Sequence, residues 1–319
     1  MNAIKRTIFS FIIVMLPFLV SAQTLKDASD AYNEAAMLFS TDKESSVQLL
    51  EKALKICNSF GPEGDTIRQK IVGFLPGLYY ELANAVYKDK KYEEAIPKIK
   101  KAAEVADLYK DETYQQRCTR LMANTYFYLG SNAVKNNLPD SAIVYYMTSV
   151  RLDPKAYKWF NISQIYLKKG NEEKMEATMD KTLELAKTEN DTASMNKTNK
   201  LGRQYFYAQA SAIQTKNSAK AIDYLDKAVR YDPKYADAYY MKFLLAYKLK
   251  RWQDAADAAN LAIANETDPN ELPKIYFKLG WTYVYLKKAP EACAAFKESA
   301  KSKDYVNEAK LNMKNLQCN

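Results

Sequence analysis

The sequence predicts an all-α fold, a solenoid of helix-turn-helix repeats closed by a C-terminal capping helix. Three observations point there. First, a pattern of large and small residues recurs along the chain. With the leading large residue of each unit set as position 4, the clearest unit runs Tyr126, Leu129, Gly130 and Ala133, then Ala142, Tyr146, Ser149 and Pro154. Second, positions 4, 7, 8 and 11 obey the i, i+3, i+4, i+7 spacing that gathers residues on one helix face. Third, a chain of 319 residues that is 48% hydrophobic and 27% charged has the composition of an ordered protein.

Taken in order, the first unit is degenerate, with Ala35, Met37, Ser46, Leu50 and Ala53. The second carries Tyr79, Leu82, Ala83 and Val86, then Tyr92, Ala95, Ile99 and Ala102. The third is the clear one above. A fourth follows at once with Trp159, Ile162, Ser163, Tyr166, Gly170, Met175, Met179 and Thr182. The fifth has Tyr205, Ala208, Ala212, Ala221, Leu225, Ala228 and Pro233, and the sixth Tyr239, Phe243, Ala246, Trp252, Ala255, Ala259 and Ala262. The seventh has Tyr276, Leu279, Gly280, Tyr283, Ala292, Phe296 and Ser299. The position-20 residues Ser46, Ala95, Ala142, Met175, Ala221, Ala255 and Ala292 are spaced 49, 47, 33, 46, 34 and 37 apart. Three intervals therefore hold about a dozen extra residues, as longer helices or as loops near 61–65, 108–117 and 186–200. The last stretch is rich in Thr, Asn and Lys and is expected to be a mobile connection. Residues 305–319, with Val306, Ala309, Leu311, Met313 and Leu316 apolar, form the expected cap.

Over roughly Asp27 to Ala300 these units resemble tetratricopeptide repeats, whose period is about 34 residues. The resemblance implies a right-handed superhelix in which helix A of each pair lines a concave groove. A small residue at position 8 or 20 lets helix B approach helix A, and a large one at 24 fills the gap with the next unit. One helix pair cannot bury its apolar face alone, so the pairs must stack.

The amino terminus reads as an export signal spanning 1–22. Lys5 and Arg6 precede the apolar run Ile8 to Val20, and Val20 and Ala22 place small residues before Gln23. Thirteen helical residues reach about 20 Å, short of a bilayer core of about 30 Å, so no stable transmembrane span is expected after cleavage. The repeat array then occupies 23–304. Export places the protein in the periplasm of a bacterial envelope, or failing that secreted or on the cell surface. The chain has no histidine and only 8 glycines, so no His-based catalytic dyad, imidazole metal site or glycine-rich phosphate loop exists. No catalytic residue, metal or cofactor is expected, and an exported chain without a nucleic-acid-binding motif is expected to bind no nucleic acid.

The resemblance directs positions 2, 5, 9, 12 and 13 into the groove. Position 5 reads Tyr80, Phe127, Phe160, Phe206, Tyr240 and Phe277, with Trp281 at position 9 and Tyr247 at position 12. Such rings would pave an apolar floor for a peptide or an amphipathic helix, or alternatively for a glycan. The opposite reading packs them sideways between neighbouring helices. Phe160→Ala and Phe206→Ala are expected to separate the two, weakening binding without unfolding if the rings are free. No unit combines the Lys at 5 and Asn at 9 of the family's carboxylate clamp. A second stripe is basic: Lys90 and Lys91, Lys168 and Lys169, Lys250 and Arg251, Lys287 and Lys288 fall at successive A–B turns. It would attract an anionic partner, or simply stabilise helix C-termini. Among the four cysteines, none in C-x-x-C spacing, Cys293 and Cys318 could clip the cap to the array. The expected function is a protein–protein interaction scaffold.

Overall fold

The computed structural model describes residues 24–318, so the export-signal segment 1–22 lies outside the described residues. Among the described residues every regular element is helical. Seven helix pairs follow one another: α1 (Leu25–Leu38) with α2 (Lys43–Ser59), α3 (Asp65–Lys88) with α4 (Tyr92–Leu108), and α5 (Glu112–Lys135) with α6 (Pro139–Leu152). Then come α7 (Ala156–Lys168) with α8 (Glu172–Glu189), α9 (Thr192–Ile213) with α10 (Ser218–Tyr231), and α11 (Ala236–Lys248) with α12 (Trp252–Asn265). The last pair is α13 (Leu272–Tyr285) with α14 (Ala289–Ser299), followed by α15 (Val306–Asn315). The chain divides into two compact units between Thr125 and Tyr126.

The three long intervals are helix, and the expected mobile connection at 186–200 is corrected. There α8 runs to Glu189, Asn190 turns the chain in the left-handed region (φ 54°), and Asp191 caps α9 through the Ser194 amide at 3.0 Å. The extra residues lengthen α3, α5 and α9 to 24, 24 and 22 residues, against 13 or 14 for α7, α11 and α13. Ten more residues extend a helix by about 15 Å. Polar residues alone did not break these helices, because a good N-cap and one turn residue with positive φ are what a stop requires.

In the second unit the close approach expected at position 8 becomes steric fact, with the position-24 ring of the same helix pair as the neighbour. A Cβ on Gly130 would lie 2.6 Å from the Tyr146 ring, and one on Gly280 would lie 2.7 Å from Phe296. Both rings occupy position 24, are buried, and have nowhere to retreat. We expect Gly280→Ala to destabilise the chain by about 1–2 kcal/mol in urea titration, overpacking outweighing the gain of about 1 kcal/mol in helix propensity. Behind these contacts Phe243, Leu225, Met175 and Met179 seal a continuous core from α8 to α13. In the first unit Leu50, Ile56, Ile71 and Leu78 fill the same role.

The cap is anchored twice. Ala309, Met313 and Leu316 pack on Phe296, and a disulfide joins Cys293 of α14 to Cys318, Cα to Cα 5.6 Å. Closing a loop of this length (sequence separation 25) contributes about 3 kcal/mol in the chain-entropy account. Cys57 and Cys118 remain buried free thiols, and burial pushes the Cys118 thiol up to about 11. Alkylation of the denatured, unreduced chain should label Cys57 and Cys118 alone. Cys318→Ser should release α15 to rapid amide exchange while α9 to α12 keep their protection.

Candidate functional site

The position-5 rings do not form one exposed floor. Phe206 is sealed at 0% exposure, stacked on Tyr231 at 5.7 Å, which corrects its assignment to the groove surface. Tyr231 reaches it because Gly202 offers no side chain; a Cβ there would stand 2.3 Å from the Tyr231 ring. The others are half-buried and already have partners. In the first unit Tyr80 packs on Tyr114 at 5.7 Å with Arg117 over both rings, and burial raises its phenol above the ordinary tyrosine value. In the second, Phe127 meets Tyr146 at 5.2 Å and Tyr157 at 5.3 Å. Phe277 sits against Phe296 and Tyr305, and Trp281 against Phe296. Lys274 lies over Tyr240 and Lys278 over Tyr247, each 4.9 Å from the ring centre. Rings whose faces are taken by neighbours offer no continuous stacking surface for a glycan.

Phe160 is the exception that opens to a cavity. It lies in the second unit in a cleft of about 520 Å³ between α7 and α9, two successive A helices. One wall, from α7, presents Tyr157, Phe160, Asn161 and Gln164; Tyr157, Phe160 and Gln164 are positions 2, 5 and 9 of the unit. The other wall comes from the first turns of the long α9: Ser194, Lys197, Lys200, Leu201 and Gln204. Tyr157 is 39% exposed, and burial followed by the Asp153 charge raises its phenol, so it is a neutral hydrogen-bonding group at physiological pH. Asn161 donates through Nδ2 to the Tyr157 carbonyl at 2.7 Å, which fixes the side chain and leaves its Oδ1 to accept. Lys197 and Lys200 are exposed and form no ion pair among the described residues. The cleft therefore combines a ring floor, primary amides that match a peptide backbone, and two unpaired cations.

A smaller cleft of about 420 Å³ in the first unit lies among Phe39, Lys43, Gly73, Phe74, Gly77 and Tyr114. Its polar groups are those of Ser40, Lys43, Glu81 and Tyr114.

The basic residues do cluster at A–B turns, for a local reason. Lys90, Asn137, Gly170, Lys250 and Lys287 hold φ between 57° and 67°, and the next residue donates its amide back across the turn. Lys91 bonds the Val86 carbonyl at 3.2 Å, Arg251 that of Ala246 at 2.9 Å, and Lys288 that of Tyr283 at 2.9 Å. This closes each helix A in a Schellman-type cap. Lys169 pairs with Asp140 at 2.6 Å and Arg251 with Asp254 at 2.6 Å, so part of the stripe is neutralised at home, whereas Lys168 stays exposed.

Sequence reasoning found Phe160 but missed the lysine wall, because it assigned Lys197 and Lys200 to a connection. It also missed Tyr157, although position 2 was marked as groove-facing. Among the described residues no group of His, Cys, Asp and Glu could hold a metal, and no helix is long and apolar enough to cross a membrane.

Stacked helix pairs with a side-chain-lined cleft between successive A helices define a helical-repeat interaction scaffold. Residues 159–189 and 211–271 each match a family model described as tetratricopeptide repeat, so the chain carries tetratricopeptide repeats over these segments. No curated protein matches. Among solved structures it is similar to the MamA protein, 21% identical over 56% of this chain and 90% of that one, with a TM-score of 0.29. It is also similar to YrrB, a TPR protein with an unusual peptide-binding site, 15% identical over 60% of this chain and 92% of that one, TM-score 0.31. The TPR2AB domain of yeast Sti1, in complex with a pHSP90, is 15% identical over 91% and 96%, TM-score 0.35.

Proposed function

We propose that this protein is an exported, non-catalytic scaffold of the bacterial cell envelope that holds an extended acidic peptide of its partner in the α7–α9 cleft. The observation that carries the reading is the pairing of walls: ring and amide groups on α7, unpaired lysines on α9, across one cavity. A peptide strand would lay an apolar side chain on Phe160, exchange backbone hydrogen bonds with Asn161, Gln164 and Gln204, and set a carboxylate against Lys197 or Lys200. The net charge, +9 for the chain and +7 once Lys5 and Arg6 leave with the export signal, would speed the approach of such a partner. Export is supported by the basic-then-apolar segment from Lys5 to Val20 and by the Cys293–Cys318 disulfide, a bond that persists in oxidising compartments.

Selection from a random peptide display library tests this. Enriched sequences should carry Asp or Glu near an apolar residue. Their affinity should fall at least tenfold for Phe160→Ala and for the double charge reversal Lys197→Glu, Lys200→Glu. Peptides that bind both variants as they bind the parent chain would refute the assignment of this cleft.

A further inference from the structure

The last two A–B turns carry an aromatic cluster that the scaffold reading does not use. Trp252, the first residue of α12, and Tyr285, the last of α13, stack face to face with centroids 4.2 Å apart and planes 11° from parallel. Tyr247 closes the edge of both, 5.2 Å from Trp252 and 6.1 Å from Tyr285. Tyr285 is nonetheless 50% exposed. With one face on Trp252 and an edge on Tyr247, that exposure is left to its other face and its remaining edges. The cluster is thus a rigid platform ending in one open ring.

Cations flank it in sequence, Lys250 two residues before Trp252 and Lys287 two after Tyr285. Lys250 and Lys287 are exposed and form no ion pair among the described residues. Lys288 reaches Gln253 at 3.4 Å, which shows that the two turns are neighbours. Helix ends account for part of this charge, since Lys250 and Lys287 follow the C-termini of α11 and α13, where a cation is favoured. Lys288 and Arg251 are the N-cap residues of α14 and α12 and make no side-chain cap, and a cation at a helix N-terminus is disfavoured by the dipole.

We propose that this edge is a second binding site, for an anionic polysaccharide whose pyranose ring stacks on Tyr285 while its carboxylate is held by Lys250 and Lys287. The electropositive C–H face of a pyranose complements the negative face of the ring. A uronate carries its charge on the ring itself, within reach of lysines flanking a single platform. Single-stranded nucleic acid stacks successive bases on successive rings, and this edge offers one open face.

Calorimetric titration of the whole chain with polygalacturonate tests the site, with polyglutamate, phosphatidylglycerol vesicles and oligo-dT as parallel probes. We expect polygalacturonate to bind, its affinity to fall steeply with salt, and polyglutamate to bind at least tenfold more weakly. Tyr285→Ala and, separately, Lys250→Glu with Lys287→Glu should each weaken polygalacturonate at least tenfold. The lysines are exposed, so the second variant folds even where the first is perturbed. Binding of cleft peptides should be unchanged in both. Absence of polygalacturonate binding, equal binding by polyglutamate, an unaffected Tyr285→Ala, or tighter binding to vesicles or oligo-dT would overturn the proposal.

Discussion

Phe206→Ala is expected to destabilise the second unit by about 3–5 kcal/mol, the range for removing a sealed aromatic side chain. The ring is 0% exposed and lies nearly parallel to Tyr231 at 13° and Tyr224 at 24°, with the Tyr205 edge 5.2 Å away and Lys227 Nζ 5.0 Å above it. It is the seat on which α10 rests against α9. Two of those neighbours are fixed from outside. Tyr231 donates to Asp180 at 3.1 Å, and Lys227 pairs with Glu176 at 2.7 Å, so α10 cannot slide to fill the void. Phe160→Ala, at a half-buried ring over an open cleft, should cost roughly 1 kcal/mol or less. Urea unfolding followed by circular dichroism compares the two. Equal midpoints for Phe206→Ala and the parent chain would show that the ring is not core.

The contrast explains what was legible in the sequence. Periodicity marks the face of a helix, so Gly130 and Gly280 could be read from position 8 as close-approach sites before any coordinates, whereas the position-24 rings Tyr146 and Phe296, expected to meet the next unit, pack on the glycine of their own. Periodicity does not reveal what stands opposite that face. Phe160 and Phe206 share a position and a chemistry, yet the second is closed over by Tyr231 because Gly202 lies one turn earlier. The extension of α9 was hidden for a related reason. Even the buried positions of 192–200, Ser194 and Thr198, are polar, so the segment shows no apolar stripe and reads the same as a loop. Trp252 and Tyr285 were unreadable as a pair: they lie 33 residues apart and meet only because successive A–B turns are neighbours.

Asp153→Ala is the second large effect we expect, about 3 kcal/mol, from stranding Lys158. The Lys158 side chain is 0% exposed, and its ammonium donates to Asp153 Oδ2 at 2.9 Å and to the Asp153 carbonyl at 3.1 Å. The Tyr157 ring centre lies 5.9 Å away. Removing the carboxylate leaves a buried cation with the carbonyl as its remaining anchor, which cannot balance the lost hydration. Asp153 is itself 24% exposed, which holds the loss to the lower end of the range for buried pairs. An apolar side chain of similar volume needs no counter-charge, so adding Lys158→Met to Asp153→Ala should restore most of the stability. The same cycle bears on the cleft. Lys158 follows Tyr157 on the first turn of α7, so peptide affinity should fall with Asp153→Ala and return with Lys158→Met, tracking the fold and not the charge. A change below about 0.5 kcal/mol in Asp153→Ala, the scale of an ordinary surface substitution, would mean that the lysine reaches water and that the pair is not what orders this end of the cleft.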